Sequence, residues 1–319
     1  MTFSKTTGDV PELHFPDGSR KRLFRLGPPN IKENIIQFLS LTRYKPEILV
    51  MECMALHPER QSTLSRKIFQ PTHLGITNIK LDHQEIMGTD EPAIFNTIAH
   101  SFTSGSQKYL PRALKKHITP GPGTCKNISF YEKNTFAREF SFIPPAVIEE
   151  NWGLIQKLGV DLKLDPHMLA DTFEKEWEGI NQQIKVELRQ YNADFFNLFS
   201  ANDLETAIQF TEHLHAMQPQ TQAVALINTR ADRPLRSLAF VDYFISLSWI
   251  SEVWVVGSGR DLPKKYYHNK LAQMTIHRFS EVKPVVQRIQ KGFKHMTQIY
   301  GLANYQGMHV LMENLRKLT

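Results

Sequence analysis

The chain has 319 residues, 41% of them hydrophobic and 22% charged, with a formal net charge of +6. That apolar content builds one large domain or two smaller ones and excludes a disordered chain. The positive charge is spread out, and its densest clusters, Arg20-Lys21-Arg22 and Lys115-Lys116-His117, are short. This argues for a solvated surface rather than a nucleic-acid patch. No run reaches the roughly 18 apolar residues of a membrane span, so membrane association would need a partner or a further segment. Cys53 and Cys125 sit in no CxxC or zinc spacing. Without a signal peptide they read as reduced thiols of a cytoplasmic protein.

From the start to Pro29 the chain is rich in Gly, Pro and charge, and Asp17-Gly18 marks a β-hairpin. Asn30 is placed to cap a helix with Ile31, Ile35, Phe38 and Leu39 on one face. Residues 47–55 are short, apolar and β-capable, and read as a buried strand. Residues 74–79 read as another strand and 91–102 as a helix. The Gly- and Pro-containing stretch 105–135 reads as irregular or as short strands. Helices follow at 146–158 and 167–191, the second long and polar. The alternation then restarts. Strands are predicted at 194–200, 223–228, 253–256 and 298–302, and helices at 203–217, 234–247, 281–291 and 309–317. This is an α/β fold with largely parallel sheets. A boundary is expected near residue 192, giving domains 1–192 and 193–319. There is no internal repeat.

Four constellations carry candidate chemistry. Glu52 ends the first apolar strand. Ligands of open α/β sheets bind at the carboxyl ends of strands, and a carboxylate there suits Mg²⁺. A plain surface acid is the alternative. Thr77-Asn78-Ile-Lys-Leu-Asp82-His83 runs off the next strand. Its polar groups suit a metal or phosphate, or His83 is simply hydrogen-bonded. If the two strands form a consecutive parallel pair, Glu52 and His83 share one site. Asn202-Asp203 follows the strand at 194–200, where a helix cap is the plain alternative. Arg230, Asp232 and Arg233 precede a helix opened by Pro234. They suit an anion through the guanidinium fork, or they form a structural ion-pair network. There is no GxxxxGK[ST], GxSxG or HExxH, and Gly257-Ser-Gly259 is a weak phosphate-loop candidate.

In this order the pieces resemble the CapB/PgsB-type ligase subunit of poly-γ-glutamate synthases, in the Mur ligase and folylpolyglutamate synthase group. The matching stretches are Lys5-Thr-Thr-Gly8, Pro16-Asp-Gly18, Glu52-Cys-Met-Ala-Leu-His-Pro-Glu59, Gln70-Pro-Thr72, Ile76-Thr-Asn-Ile-Lys-Leu-Asp-His83 and Met87-Gly88. Ala201-Asn-Asp203, Asn228-Thr-Arg-Ala-Asp-Arg-Pro234 and Gly301-Leu-Ala-Asn304 with Gly307 complete them. The resemblance implies a three-layer Mur-ligase-like central domain plus a smaller α/β C-terminal domain. It implies an ATP- and Mg²⁺-dependent γ-glutamyl ligase that activates a terminal carboxylate as an acyl phosphate and couples it to glutamate. By the same resemblance, Glu52 and His83 match the metal ligands. Thr6 and Thr7 match a loop near substrate or metal, and Asn78 and Asp82 lie in the site. Asn151 falls where Mur ligases keep an adenine-side asparagine, though the customary nearby histidine is absent. Asn202, Asp203, Arg230, Asp232 and Arg233 fall on the C-terminal face toward nucleotide and substrate. The implied partners are glutamate, the poly-γ-glutamate chain and membrane subunits of the synthase at the inner face of the membrane.

The front of the chain departs from the family. Met1 stands four residues before Lys5-Thr6-Thr7-Gly8, where a strand, P-loop and helix of roughly 30 to 40 residues would come first. The expectation is a ligase impaired as this chain stands. The alternatives are a non-catalytic binding or assembly subunit and, on charge alone, a nucleic-acid binder.

Overall fold

A computed structural model describes residues 2–5, 11–24, 30–118, 126–263 and 275–319. The chain divides into two compact units. Residues 1–79 and 83–130 form the first, and residues 80–82 with 131–319 form the second.

The first unit carries two short sheets. Strands β1 (Thr2–Lys5), β2 (Glu12–His14), β3 (Arg20–Arg22) and β4 (Ile48–Met51) form one, in the order β3-β2-β1-β4. The β2–β3 hairpin turns at Asp17-Gly18 as predicted. Gly18 takes a left-handed φ of 81°, and Asp17 Oδ1 accepts from the Ser19 N–H at 2.9 Å. The other sheet holds β5 (His73–Gly75), β6 (Gln107–Pro111) and β7 (Ile128–Tyr131) in chain order. The expected pairing of the first two apolar strands does not form. β4 runs parallel to β1, and β5 runs parallel to β6. After β5 only the Ile76 N–H continues along β6, bonding Tyr109 O at 2.9 Å, so the second predicted strand ends early.

Helix α1 (Ile31–Leu41) is capped by Asn30, whose Oδ1 accepts from the Lys32 N–H at 3.0 Å. Of the predicted face, Ile31, Ile35 and Phe38 are half-buried beside the buried Asn34 and Leu41, while Leu39 is exposed. Helix α2 (Pro58–Thr63) runs on as a π-helix through Phe69, and α3 (Gln84–Met87) and α4 (Glu91–Ala99) follow.

The second unit is built on a six-stranded sheet. Its strands are β8 (Lys185–Leu188), β9 (Ala193–Asn197), β10 (Gln222–Thr229), β11 (Ile250–Gly257), β12 (Thr275–Arg278) and β13 (Thr297–Leu302). The order is β12-β11-β10-β13-β9-β8. All neighbours run parallel except the antiparallel edge strand β8. Alternate residues of each strand serve opposite faces. Ala225 and Ile227 share a core with α5 (Pro145–Asp161), α6 (Pro166–Ile184), α7 (Leu204–Met217) and α8 (Pro234–Ile245), through Trp152, Phe173, Leu214 and Phe240. Val224 and Leu226 share the opposite core with α9 (Val282–Gln290) and α10 (His309–Arg316), through Ile289 and Leu311.

The division of the chain falls near residue 131, and residue 192 lies inside the second unit. The cause is packing: α5 and α6 bury Ile148, Trp152, Phe173 and Ile184 in the same core as Phe196 and Ile227. The second unit is therefore the larger. Helix α6 also ends at Ile184, short of the predicted 191. Val186 and Leu188 are buried on either side of exposed Glu187, and this alternation makes β8 a strand on β9. Among the described residues no helix is long and apolar enough to cross a membrane.

Gly301 in the central strand β13 has no room for a side chain. A Cβ there would lie 2.6 Å from the Phe199 ring and 2.9 Å from Phe195. Gly301→Val is expected to destabilise the protein by about 1–3 kcal/mol through overpacking. Urea denaturation reads this as a lower midpoint, and an unchanged midpoint would contradict the packing described.

Candidate functional site in the second unit

Strand β10 is followed by α8 on one face of the sheet, and its neighbour β13 is followed by α10 on the other. β9, on the other side of β13, leads into α7 on the first face. The connections thus part on both sides of β13. This is a topological switch point, where parallel sheets open a crevice at their carboxyl ends. Three loops ring it: 198–203, 230–233 and 303–308.

Two buried asparagines tie the crevice together. Asn228 Nδ2 donates to Asn304 O at 2.8 Å and to Gln306 O at 3.0 Å, and Asn304 Nδ2 donates back to Asn228 O at 2.8 Å. The Asn304 N–H bonds Leu302 O at 3.2 Å around Ala303, whose φ is 82°. A non-glycine residue in that region is strained, and such strain gathers at functional sites.

The loop after β10 is fixed from both sides. The Arg230 N–H donates to Ser237 Oγ at 3.0 Å, and the Ala231 N–H donates to Ser258 Oγ at 3.1 Å. Gly257, at φ 97°, lies so close that a Cβ would meet Asn228 Oδ1 at 2.5 Å. The Gly257-Ser258-Gly259 turn therefore buttresses this loop, and that contact explains its glycines.

Arg230 and Asp232 form a two-pronged ion pair, Nε to Oδ1 at 2.9 Å and Nη2 to Oδ2 at 2.6 Å. Asp82, from the short segment that goes with this unit, accepts from Arg236 Nη2 and lies 3.8 Å from Arg233 Nη1. Arg236 Nη1 donates to Asn304 Oδ1 at 2.8 Å, and its buried Nε has no hydrogen-bond partner. Lys80 pairs with Glu205. Burial, and next the neighbouring Arg236 guanidinium, hold Arg233 below the usual arginine value. The hydrogen bond from Arg230 holds the Asp232 carboxyl below its ordinary value.

The other predicted residues divide. Asp203 caps α7, accepting from the Thr206 N–H at 2.8 Å, which is the plain reading the sequence allowed. Asn202 Oδ1 beside it is buried without a partner. Asn151 Nδ2 bonds Val147 O one turn back in its own helix at 2.7 Å. In the first unit Glu52 is exposed just beyond β4, and the buried Asn34 donates to its carbonyl at 2.8 Å. His83 is half-buried at φ 53° ahead of α3, and Asn78 is exposed. Thr6 and Thr7 lie outside the described residues. Among the described residues no three His, Cys, Asp or Glu side chains gather to hold a metal. Arg236 and Asn34 were missed. Arg236 follows Arg233, the residue just before the helix, by three positions, a readable signal. Asn34 gave none, because a buried asparagine on an amphipathic helix looks like a surface residue.

The pair with Arg230 stabilises the fold above the ordinary carboxylate range, and this is lost as pH falls through the depressed Asp232 value. Asp232 is 62% exposed, so the effect stays below about 1 kcal/mol. Asp232→Asn is expected to melt slightly lower than the parent at neutral pH, with the gap closing below about pH 4. A gap independent of pH would contradict the pairing.

A family profile for the poly-gamma-glutamate synthase CapB C-terminal domain matches residues 184–318. PGA synthase CapB of Bacillus subtilis (strain 168) is 23% identical over 334 residues, covering 96% of this chain and 80% of that protein. E. coli FolC in complex with ADP, without folate substrate, superposes with a TM-score of 0.62 at 12% identity, over 98% of this chain and 82% of that one. The bifunctional folylpolyglutamate synthase/dihydrofolate synthase of Yersinia pestis, complexed with AMPPNP and Mn ion, gives 0.60 at 12% identity, over 87% and 68%. These structures share the fold. The resemblance read from the sequence therefore stands: residues 184–318 match the CapB-type C-terminal profile, and nearly the whole chain aligns with a CapB relative.

Proposed function

We propose that the chain is an ATP-dependent amide ligase of the poly-γ-glutamate type. The observation that carries this reading is the switch-point crevice. Its three loops are the stretches Ala201-Asn-Asp203, Asn228–Pro234 and Gly301–Gly307, in a chain that aligns with CapB along 96% of its length. With ATP as substrate, the terminal phosphoryl group passes to the end carboxylate of a γ-glutamyl chain. The amine of glutamate then attacks that acyl phosphate, forming the amide and releasing phosphate. Such chemistry needs positioning and neutralised charge more than covalent help from the protein. In the second unit Arg230, Arg233 and Arg236 supply positive charge, and the unpartnered Asn202 Oδ1 offers an acceptor.

In the first unit Glu52 and His83 would hold a magnesium ion, which neutralises phosphate charge when bound. Glu52 supplies the oxygen donor that suits this ion, exposed at a parallel strand end with its backbone anchored by Asn34, while His83 enters by resemblance alone, since the strand pairing expected to join the two does not form. Two protein donors suffice for an ion that keeps several waters and takes phosphate oxygens. Thr6, Thr7, Asn78 and Asn151 are further proposed contacts for substrate or nucleotide. Glutamate and the growing polymer are the proposed partners, with membrane subunits of a synthase complex.

The 319 residues contain no Gly-rich phosphate loop ending in Gly-Lys-Ser/Thr. One stabilising donor of such a cradle is worth roughly 10²- to 10³-fold. Glutamate-dependent ADP release is therefore expected to be at least about 100-fold slower for the chain as it stands than for one extended by a relative's strand and P-loop. Glu52→Ala should abolish it in the extended form. No glutamate-dependent release from the extended chain would overturn the ligase reading and favour a binding or assembly role.

A further inference from the structure

The arginines after β10 crowd onto few carboxylates. Arg230 is matched by Asp232 through both prongs of its fork. Arg233 and Arg236 share one carboxylate, that of Asp82. Three guanidinium groups thus gather beside a switch-point crevice, two of them on one carboxylate. Arg236 is 89% buried by side chain, with Nη1 on Asn304, Nη2 on Asp82 and Nε facing no acceptor. A buried donor without an acceptor costs roughly 1–3 kcal/mol, so Nε marks a place for one more oxygen.

Asp82 is not native to the sheet it serves. Its flanking residues 79 and 83 go with the first unit, and only Lys80–Asp82 go with the second. Ion pairs hold this three-residue strap, Lys80 to Glu205 and Asp82 to both Arg233 and Arg236. The Asp82 carboxylate is 25% exposed and reaches the guanidiniums by its Oδ1. A free carboxylate of similar shape would meet the same Nη groups and the open Nε as well, a side-on two-pronged geometry that Asp82 does not achieve.

We propose that Arg233 and Arg236 form a carboxylate-exchange site, in which Asp82 stands in for the carboxylate of a glutamate unit and gives way to it when substrate binds. The choice of glutamate rests on the ligase reading; the exchange itself rests on the geometry.

The test is equilibrium binding without ATP, which separates this proposal from the ligase reading. D- and L-glutamate are titrated separately into the parent chain, Asp82→Asn, Arg236→Met and Arg233→Gln by calorimetry, with inorganic phosphate as a third probe. Removing an internal competitor raises the competent fraction, so Asp82→Asn is expected to bind one glutamate enantiomer several-fold more tightly than the parent. A purely structural ion pair predicts the reverse, and misfolding cannot produce tightening. Arg236→Met and Arg233→Gln should each weaken binding by roughly tenfold or more. Equal or weaker glutamate binding by Asp82→Asn overturns the exchange. Unchanged binding by both arginine variants overturns the site, and a stronger response to phosphate than to glutamate overturns its assignment to carboxylates.

Discussion

The second unit depends on an exchange of amide hydrogen bonds between Asn228 and Asn304, at the ends of adjacent strands β10 and β13. The chain parts there toward opposite faces, so no further ladder bond can hold the two loops together. Each asparagine uses its side chain to satisfy the other's backbone carbonyl. Asn304 Oδ1 then remains free to take Arg236 Nη1, which fixes the amide's orientation and the direction of the guanidinium. Losing either amide would orphan buried polar groups and untie the crevice.

Around that link the sequence was legible where the pattern is strong. The restarted alternation after residue 192 gave β9, β10, β11 and β13 with their helices, because each strand is buried on both faces and each helix has one apolar side. It misled at 185–191, where a helix-favouring run ends in an edge strand fixed by pairing with β9. It also misplaced the division of the chain. α5 and α6 read as helices of the first domain, the second of them polar, yet Trp152, Phe173 and Ile184 lodge them in the second unit's core. Tertiary packing decided both points, and no local window contains it.

The site was legible in part for the same reason. Asn228–Pro234 and Gly301–Asn304 stood out as motifs, but their meeting is a property of strand order. Asp203 caps its own helix, as the plain reading allowed, and Asn151, carried over by resemblance, bonds back within its own. Arg236 escaped notice because it lies inside a helix, where an arginine usually faces water. The Gly257-Ser258-Gly259 turn was only a weak phosphate-loop candidate from its glycines. Its glycines answer to the close approach of the Asn228–Arg230 backbone instead.

The central claim is that this crevice receives a carboxylate in place of Asp82. The most direct measurement is a crystal structure of the chain with bound glutamate. The account predicts a glutamate carboxylate oxygen within hydrogen-bond distance of Arg236 Nε, with the Asp82 side chain withdrawn. Glutamate bound elsewhere, with Asp82 still seated on Arg236, would contradict it.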